Sequence, residues 1–126
     1  MGIWNVIIAG LAAWAAGLVW YARFGAARQA AGGEPLSGRR RVSVALAAAI
    51  VMILVAGFLR HIFFVSQLTS NIPLGFVAGL GVGLFFVGPW VWLVNLADAR
   101  PVRLALIDGG YATIATGIMG ALLVAF

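Results

Sequence analysis

Cysteine and lysine are both missing from this chain, and its acidic residues number only 3: Glu34, Asp98 and Asp108. Without thiols there can be no disulfide, no thiolate zinc site and no iron–sulfur ligation. His61 is the sole histidine, and one imidazole with no carboxylate close by cannot build a metal site. No Ser–His–carboxylate set is apparent, and the glycine series Gly79, Gly81, Gly83 lies inside an apolar run, where a nucleotide-cradling loop is out of context. Charged residues make up 9% of the chain, against roughly 25% in an ordinary soluble domain. No catalytic residue, metal or cofactor is therefore expected, and the chain is read as a non-enzyme.

What is abundant is hydrocarbon. Four apolar runs, Ile3–Tyr21, Val42–Leu59, Leu74–Ala97 and Leu104–Phe126, each approach the ~20 residues that cross a bilayer as helix. A chain of 126 residues that is 64% hydrophobic has too little polar surface to cover four such segments in water. The fold class expected is all-α: one integral membrane domain, an antiparallel four-helix bundle. The runs predict helices over about residues 3–21, 42–62, 73–97 and 101–126, with Ile62–Val65 apolar enough to prolong the second. Trp4, Trp20 and Tyr21 place amphipathic rings at both interfaces of the first helix. The first run lacks a basic leader and exceeds a signal-peptide core, so it is expected to be retained. Residues 22–41 read as a loop, in which Gly32, Gly33, Glu34 and Pro35 argue for a flexible linker. Ser70 or Asn71 suits the cap of the third helix, with Pro73 in its first turn. Pro89 predicts a kink, because it cannot donate to the carbonyl of Phe85. Pro101 is suited to open the fourth helix.

The net charge of +5 does not point to nucleic acid, because the bases form no stripe or helix face. Arg23, Arg28, Arg39, Arg40 and Arg41 fall between the first two runs, Arg100 and Arg103 between the last two, and only Arg60 lies on the opposite side. Lipid headgroups and the insertion machinery account for this distribution. The same asymmetry puts the two arginine-rich loops in the cytoplasm and both termini outside, in the periplasm, for a multi-pass protein of the cell inner membrane.

Three stretches carry a family resemblance: Gly17-Leu18-Val19-Trp20-Tyr21 with Phe24-Gly25; Val94-Asn95 before the Arg100-Pro101 turn; and Leu106-Ile107-Asp108-Gly109-Gly110-Tyr111 with Ile118-Met119-Gly120-Ala121 beyond. Together they resemble the small four-helix bacterial membrane proteins classed as domain of unknown function 1761 (DUF1761). The resemblance spans most of the chain and is clearest in its last third. It implies a four-helix inner-membrane protein and supplies no activity. In that family a longer proline-containing segment usually separates Trp-Tyr from Phe-Gly; here Ala22-Arg23 stands in its place.

Asp108 is the outstanding polar residue. An ionised carboxylate in a membrane helix is penalised by ~2.5 kcal/mol or more, so it has a partner or a task. Arg100, Arg103 and the Arg39–Arg41 run are the cations expected nearby, and the helix dipole adds to them. Asn95, Trp20 and Tyr21 fall at the same level. They and Asp108 form a candidate intramembrane polar cluster, read either as helix registration or as a pocket. His61, beside Arg60, is either an interfacial polar residue or a contact to a haem or pigment. Gly75, Gly79 and Gly83 repeat every four residues in the third run, and Gly109 and Gly117 mark a second stripe in the fourth. Such glycine zippers admit close helix approach, within the chain or against another subunit.

The leading functional expectation is an accessory or structural subunit, or a homo-oligomer, associating through glycine-rich faces in contact with membrane lipids and other membrane subunits. An energy-transducing complex is one setting for it. The alternative is a small proton- or ion-coupled transporter or channel that uses Asp108. Reporters fused to either end are expected on the non-cytoplasmic side of the membrane; cytosolic reporter activity at both ends would overturn the orientation.

Overall fold

The computed structural model describes residues 3–32, 38–68 and 71–125, and every regular element among them is helical. Glu34, Pro35 and Ser70, which bear on the linker and cap readings, lie outside the described residues. The elements are α1 (Ile3–Ala30), α2 (Gly38–Val65), α3 (Ile72–Val82), a π-helical turn (Gly83–Val87), α4 (Gly88–Ala97) and α5 (Val102–Ala125). Because α3, the π turn and α4 run on as one rod, four spans are long and apolar enough to cross a membrane: Ile3–Ala30, Gly38–Val65, Ile72–Ala97 and Val102–Ala125.

The largest departure from the sequence reading concerns residues 22–41, which are not one loop. α1 continues past Tyr21 to Ala30, and α2 already begins at Gly38. The physical reason is composition: Ala22, Ala26, Ala27, Arg28, Gln29 and Ala30 are good helix formers, and a single glycine among them is affordable. The helix stops where Gly32 takes φ +104° and its N–H donates to the Gln29 carbonyl at 3.0 Å, a left-handed C-terminal closure that glycine accepts without strain. At 28 residues α1 is about 42 Å long, longer than the ~30 Å hydrocarbon layer.

Two further helix ends close the same way without glycine. Gln67 and Ala99 take φ values of 60° and 56°; the Leu68 N–H then donates to the Phe63 carbonyl at 2.8 Å and that of Arg100 to the Asn95 carbonyl at 2.9 Å. Both patterns satisfy carbonyls that a helix end would otherwise leave bare. Asn71 caps α3, its side chain accepting from the Leu74 N–H at 3.1 Å, and Pro73 sits in the first turn. Pro101 directly precedes α5, which opens at Val102.

Proline strain in the third span is relieved by the π turn. With no N–H at Pro89, the Phe85 carbonyl loses its usual donor, and the ladder widens over Gly83–Val87 so that the Gly88 N–H reaches the Gly83 carbonyl. Single π turns of this kind accommodate an interrupted ladder without breaking the rod.

α5 is the centre of the molecule: α1, α2, α3, the π turn and α4 all touch it, whereas α2 otherwise leans only on α1. The core comprises Ala9 and Ala13 of α1, Ala56, Leu59 and Phe63 of α2, and Ala115, Met119, Leu123 and Val124 of α5. Small residues dominate because the backbones nearly touch. A β-carbon on Gly79 would fall on the Thr116 carbonyl, and one on Gly120 on the Gly75 carbonyl. Gly83 lies against Thr113, Gly117 against Leu80, and Gly109 faces Gly88. The glycine stripes of the third and fourth spans are thus engaged with each other inside one chain, which removes them as open faces for another subunit.

Gly81 has open space around it, which makes it the control for this packing. Gly79→Ala is expected to destabilise the bundle by about 1–3 kcal/mol through overpacking, while Gly81→Ala is neutral or slightly stabilising. Unfolding titrations of both variants in detergent micelles check the contrast.

Candidate functional site

The polar chemistry of this chain collects on one seam, between α1 and α5. On α1 the residues Ala13, Gly17, Trp20, Tyr21, Phe24 and Arg28 recur at intervals of three, four and seven, which keeps them on one helical face. Opposite them α5 offers Ile107, Asp108 and Tyr111. The Tyr21 hydroxyl donates to Asp108 Oδ1 at 2.8 Å. Arg28 takes the same carboxylate from the side, Nε to Oδ1 at 3.1 Å and Nη2 to Oδ2 at 3.4 Å. This forked geometry is the stronger form of charge-assisted hydrogen bonding. The Arg28 guanidinium also lies 5.9 Å from the centre of the Tyr21 ring, within cation–π range.

The rest of the seam is neutral. The Trp20 indole N–H donates to the Ile107 carbonyl at 3.1 Å, and its ring lies 4.6 Å from that of Phe24. The Tyr111 hydroxyl donates to the Ala13 carbonyl at 2.9 Å, and its ring meets Tyr21 edge-on with 5.4 Å between centres. Tyr111 fits because Gly17 has no side chain: a β-carbon there would stand 2.6 Å from the phenolic oxygen.

Of the four residues expected to cluster, Asp108, Tyr21 and Trp20 do meet on this seam. Asn95 does not join them. Its amide nitrogen donates back to the Val91 carbonyl of its own helix at 2.9 Å, and its buried Oδ1 has no partner. The cation on Asp108 is Arg28, and not one of Arg39–Arg41, Arg100 or Arg103, nor is Arg28 simply a headgroup ligand. The error traces to the end of the first helix. With a loop from residue 22, Arg28 has no defined side; with α1 intact it stands two turns beyond Tyr21 on the same face. The seven-residue interval from Tyr21 to Arg28 was the available signal.

Arg23, Arg39, Arg40, Arg41, Arg100 and Arg103 are exposed. His61 is exposed on α2, its ring centre 6.2 Å from that of Phe58. Among the described residues no group of three or more His, Asp or Glu could hold a metal ion. Thr113 and Thr116, which face the third span, donate to the Gly109 and Ala112 carbonyls, each at 2.9 Å, so their hydroxyls are satisfied within α5.

Two hollows flank the seam's elements. One, of about 560 Å³, is an apolar recess around the π turn and α5, reached by Pro89, Trp92 and Leu106. The other, of about 850 Å³, lies between α1 and α2 and is bordered by Arg28.

Compared with known proteins, residues 4–124 match the family described as "Protein of unknown function (DUF1761)". No curated protein and no solved structure matches.

The carboxylate-centred contacts are testable as a thermodynamic cycle. Asp108→Asn and Arg28→Gln are each expected to destabilise the bundle by about 1–3 kcal/mol, since each leaves a charged or polar partner unmatched. The double variant should lose less than the two single losses combined, with a coupling of about 1 kcal/mol, the range for membrane side-chain pairs. Additive losses in micellar unfolding would show that the ion pair does not hold the helices together.

Proposed function

Because the chain belongs to this family of unknown function, its role must be read from its own residues, and we propose a non-enzymatic structural or accessory protein of the bacterial inner membrane. In this reading the four spans run antiparallel, the arginine-rich turns face the cytoplasm and both termini face the periplasm. The observation that carries it is the fate of the interior polar groups. Asp108, Arg28, Tyr21, Trp20 and Tyr111 are engaged in fastening α1 to α5, and among the described residues only the Oδ1 atoms of Asn5 and Asn95 are buried without a partner. Polar groups spent on fastening helices support a structural role over a catalytic one.

Association with another subunit, or with a second copy, then uses faces other than the glycine stripes. α2 is the best placed, since it leans on α1 and only lightly on α5 and presents Leu46, Ile50, Leu54 and Phe58 outward. The π turn is the other, with Phe85 and Phe86 79% and 78% exposed. A role in ion- or proton-coupled transport finds less support, because Asp108 already carries a guanidinium partner and a hydroxyl donor.

Native mass spectrometry of the protein extracted in mild detergent is expected to show a homo-oligomer or a co-purifying membrane chain; a lone monomer would overturn the subunit reading. In proteoliposomes, a proton or cation flux abolished by Asp108→Asn would replace it with transport.

A further inference from the structure

The hollow between α1 and α2 has a feature that helix fastening does not explain. Among the described residues its charged border is made by Arg28, Arg40, Arg41 and Arg100. These four outnumber all 3 acidic residues in the protein, so the rim keeps a positive surplus however the acids are arranged. Arg28 is turned to one side by Asp108. Away from that rim the wall becomes apolar, with Leu18 on α1 and Val44 and Ala48 on α2. Trp14 marks the deep end, its indole N–H tied to the Ala45 carbonyl at 3.0 Å.

The polarity therefore runs along the helices, charged where α1 ends and α2 begins and apolar beneath. Along α2 the lining passes from Arg41 to Ala48, about 10 Å of helix axis, enough to take the headgroup end and the first part of an acyl chain, the rest of which continues into the surrounding bilayer. The volume of about 850 Å³ lies in the range of built ligand sites. Basic pockets between membrane helices recognise anionic lipid headgroups through guanidinium–phosphate pairing.

We propose that the α1–α2 hollow is a site for a single anionic phospholipid, its phosphate held by Arg41 and Arg100 and its acyl chain lying against Leu18, Val44 and Ala48. The site rests on the membrane placement of these helices and not on the subunit role. Bound lipid neutralises the positive surplus that Arg41 and Arg100 bring to the rim.

The experiment uses the full chain in detergent micelles, with native mass spectrometry resolving lipid adducts from oligomers, so that failure of the subunit reading is scored separately. Phosphatidylglycerol is expected to remain bound at least about tenfold more than phosphatidylcholine of identical chains, because the choline ammonium cancels the headgroup's net charge and is repelled by the arginine rim. The double substitution Arg41→Gln, Arg100→Gln should weaken that binding about tenfold or more. Arg23→Gln, Arg103→Gln, which removes equal charge away from the hollow, should leave it unchanged. Ala48→Trp, which fills the apolar end, should weaken phosphatidylglycerol while sparing any binding of inorganic phosphate. Equal retention of the two lipids, or equal weakening by the control pair, would overturn the site. Inorganic phosphate displacing phosphatidylglycerol at matching concentration would show a free anion, not a lipid, to be the ligand. Circular dichroism of each variant establishes that the helices have formed.

Discussion

A polar group carried into hydrocarbon must find its partner within the protein, because no water is there to supply one. That constraint organises this molecule. Asp108 stands two turns into α5, where a bare carboxylate would be strongly disfavoured. Its needs are met by Tyr21 and Arg28, both on α1. One acid thereby fixes how far along α5 the first helix sits and which face it turns inward. Trp20 and Tyr111 repeat the fastening with carbonyl acceptors, so that α1 is held at several heights and cannot easily rotate or slide.

The opposite side of α5 is held by different physics. No side-chain hydrogen bond crosses from α3 to α5 among the described residues; Gly75, Gly79 and Gly83 meet Gly120, Thr116 and Thr113 through close backbone approach. Dispersion at short range replaces directional bonding, which is effective in lipid because the solvent gives helices no hydrophobic reason to associate. The same approach explains why Thr113 and Thr116 bond within α5: a hydroxyl reaching across would force the backbones apart. The π turn belongs to this side as well. It lets the third span pass Pro89 without leaving α5, so the contact with α5 continues through α4.

The parts of the fold legible in the sequence are those set by composition. Apolar length marked four spans, Asn71 and the prolines marked helix starts, and small residues marked close-packing faces on the third and fourth spans without saying that the two meet each other. The candidate site was legible in its acid and aromatic members, since a carboxylate within an apolar run and a Trp-Tyr pair at a helix end are local signals. Arg28 was not, because its meaning depends on whether helix persists through residues 22–30. Polar and small residues there resemble a loop when judged by hydropathy, and resemble a helix when judged by propensity. Propensity prevailed because the ion pair at Asp108 adds a tertiary reason to keep the last two turns wound. Asn95 shows the converse failure. Matching depth in the membrane does not bring two side chains together unless their helices also turn the right faces inward, and rotation about the axis is not written in hydropathy.

Arg28 links the α1–α5 seam to the α1–α2 hollow. It neutralises Asp108 on one side and borders the α1–α2 hollow on the other. Were it free, its long side chain would lie across that space and compete for any anion entering it. Drawn toward α5, it leaves the anion contacts at the rim to Arg41 and Arg100. The hollow lies where α1, tied to α5, meets α2 across a lining that includes the small residues Ala22, Gly25, Ala45 and Ala48. A helix pair lined with such small residues either closes to backbone contact, as α3 and α5 do, or encloses a third body. Closure here would press Arg41 and Arg100 toward each other in a low-dielectric space without an anion between them. An anion with a hydrocarbon tail resolves both the repulsion and the void at once.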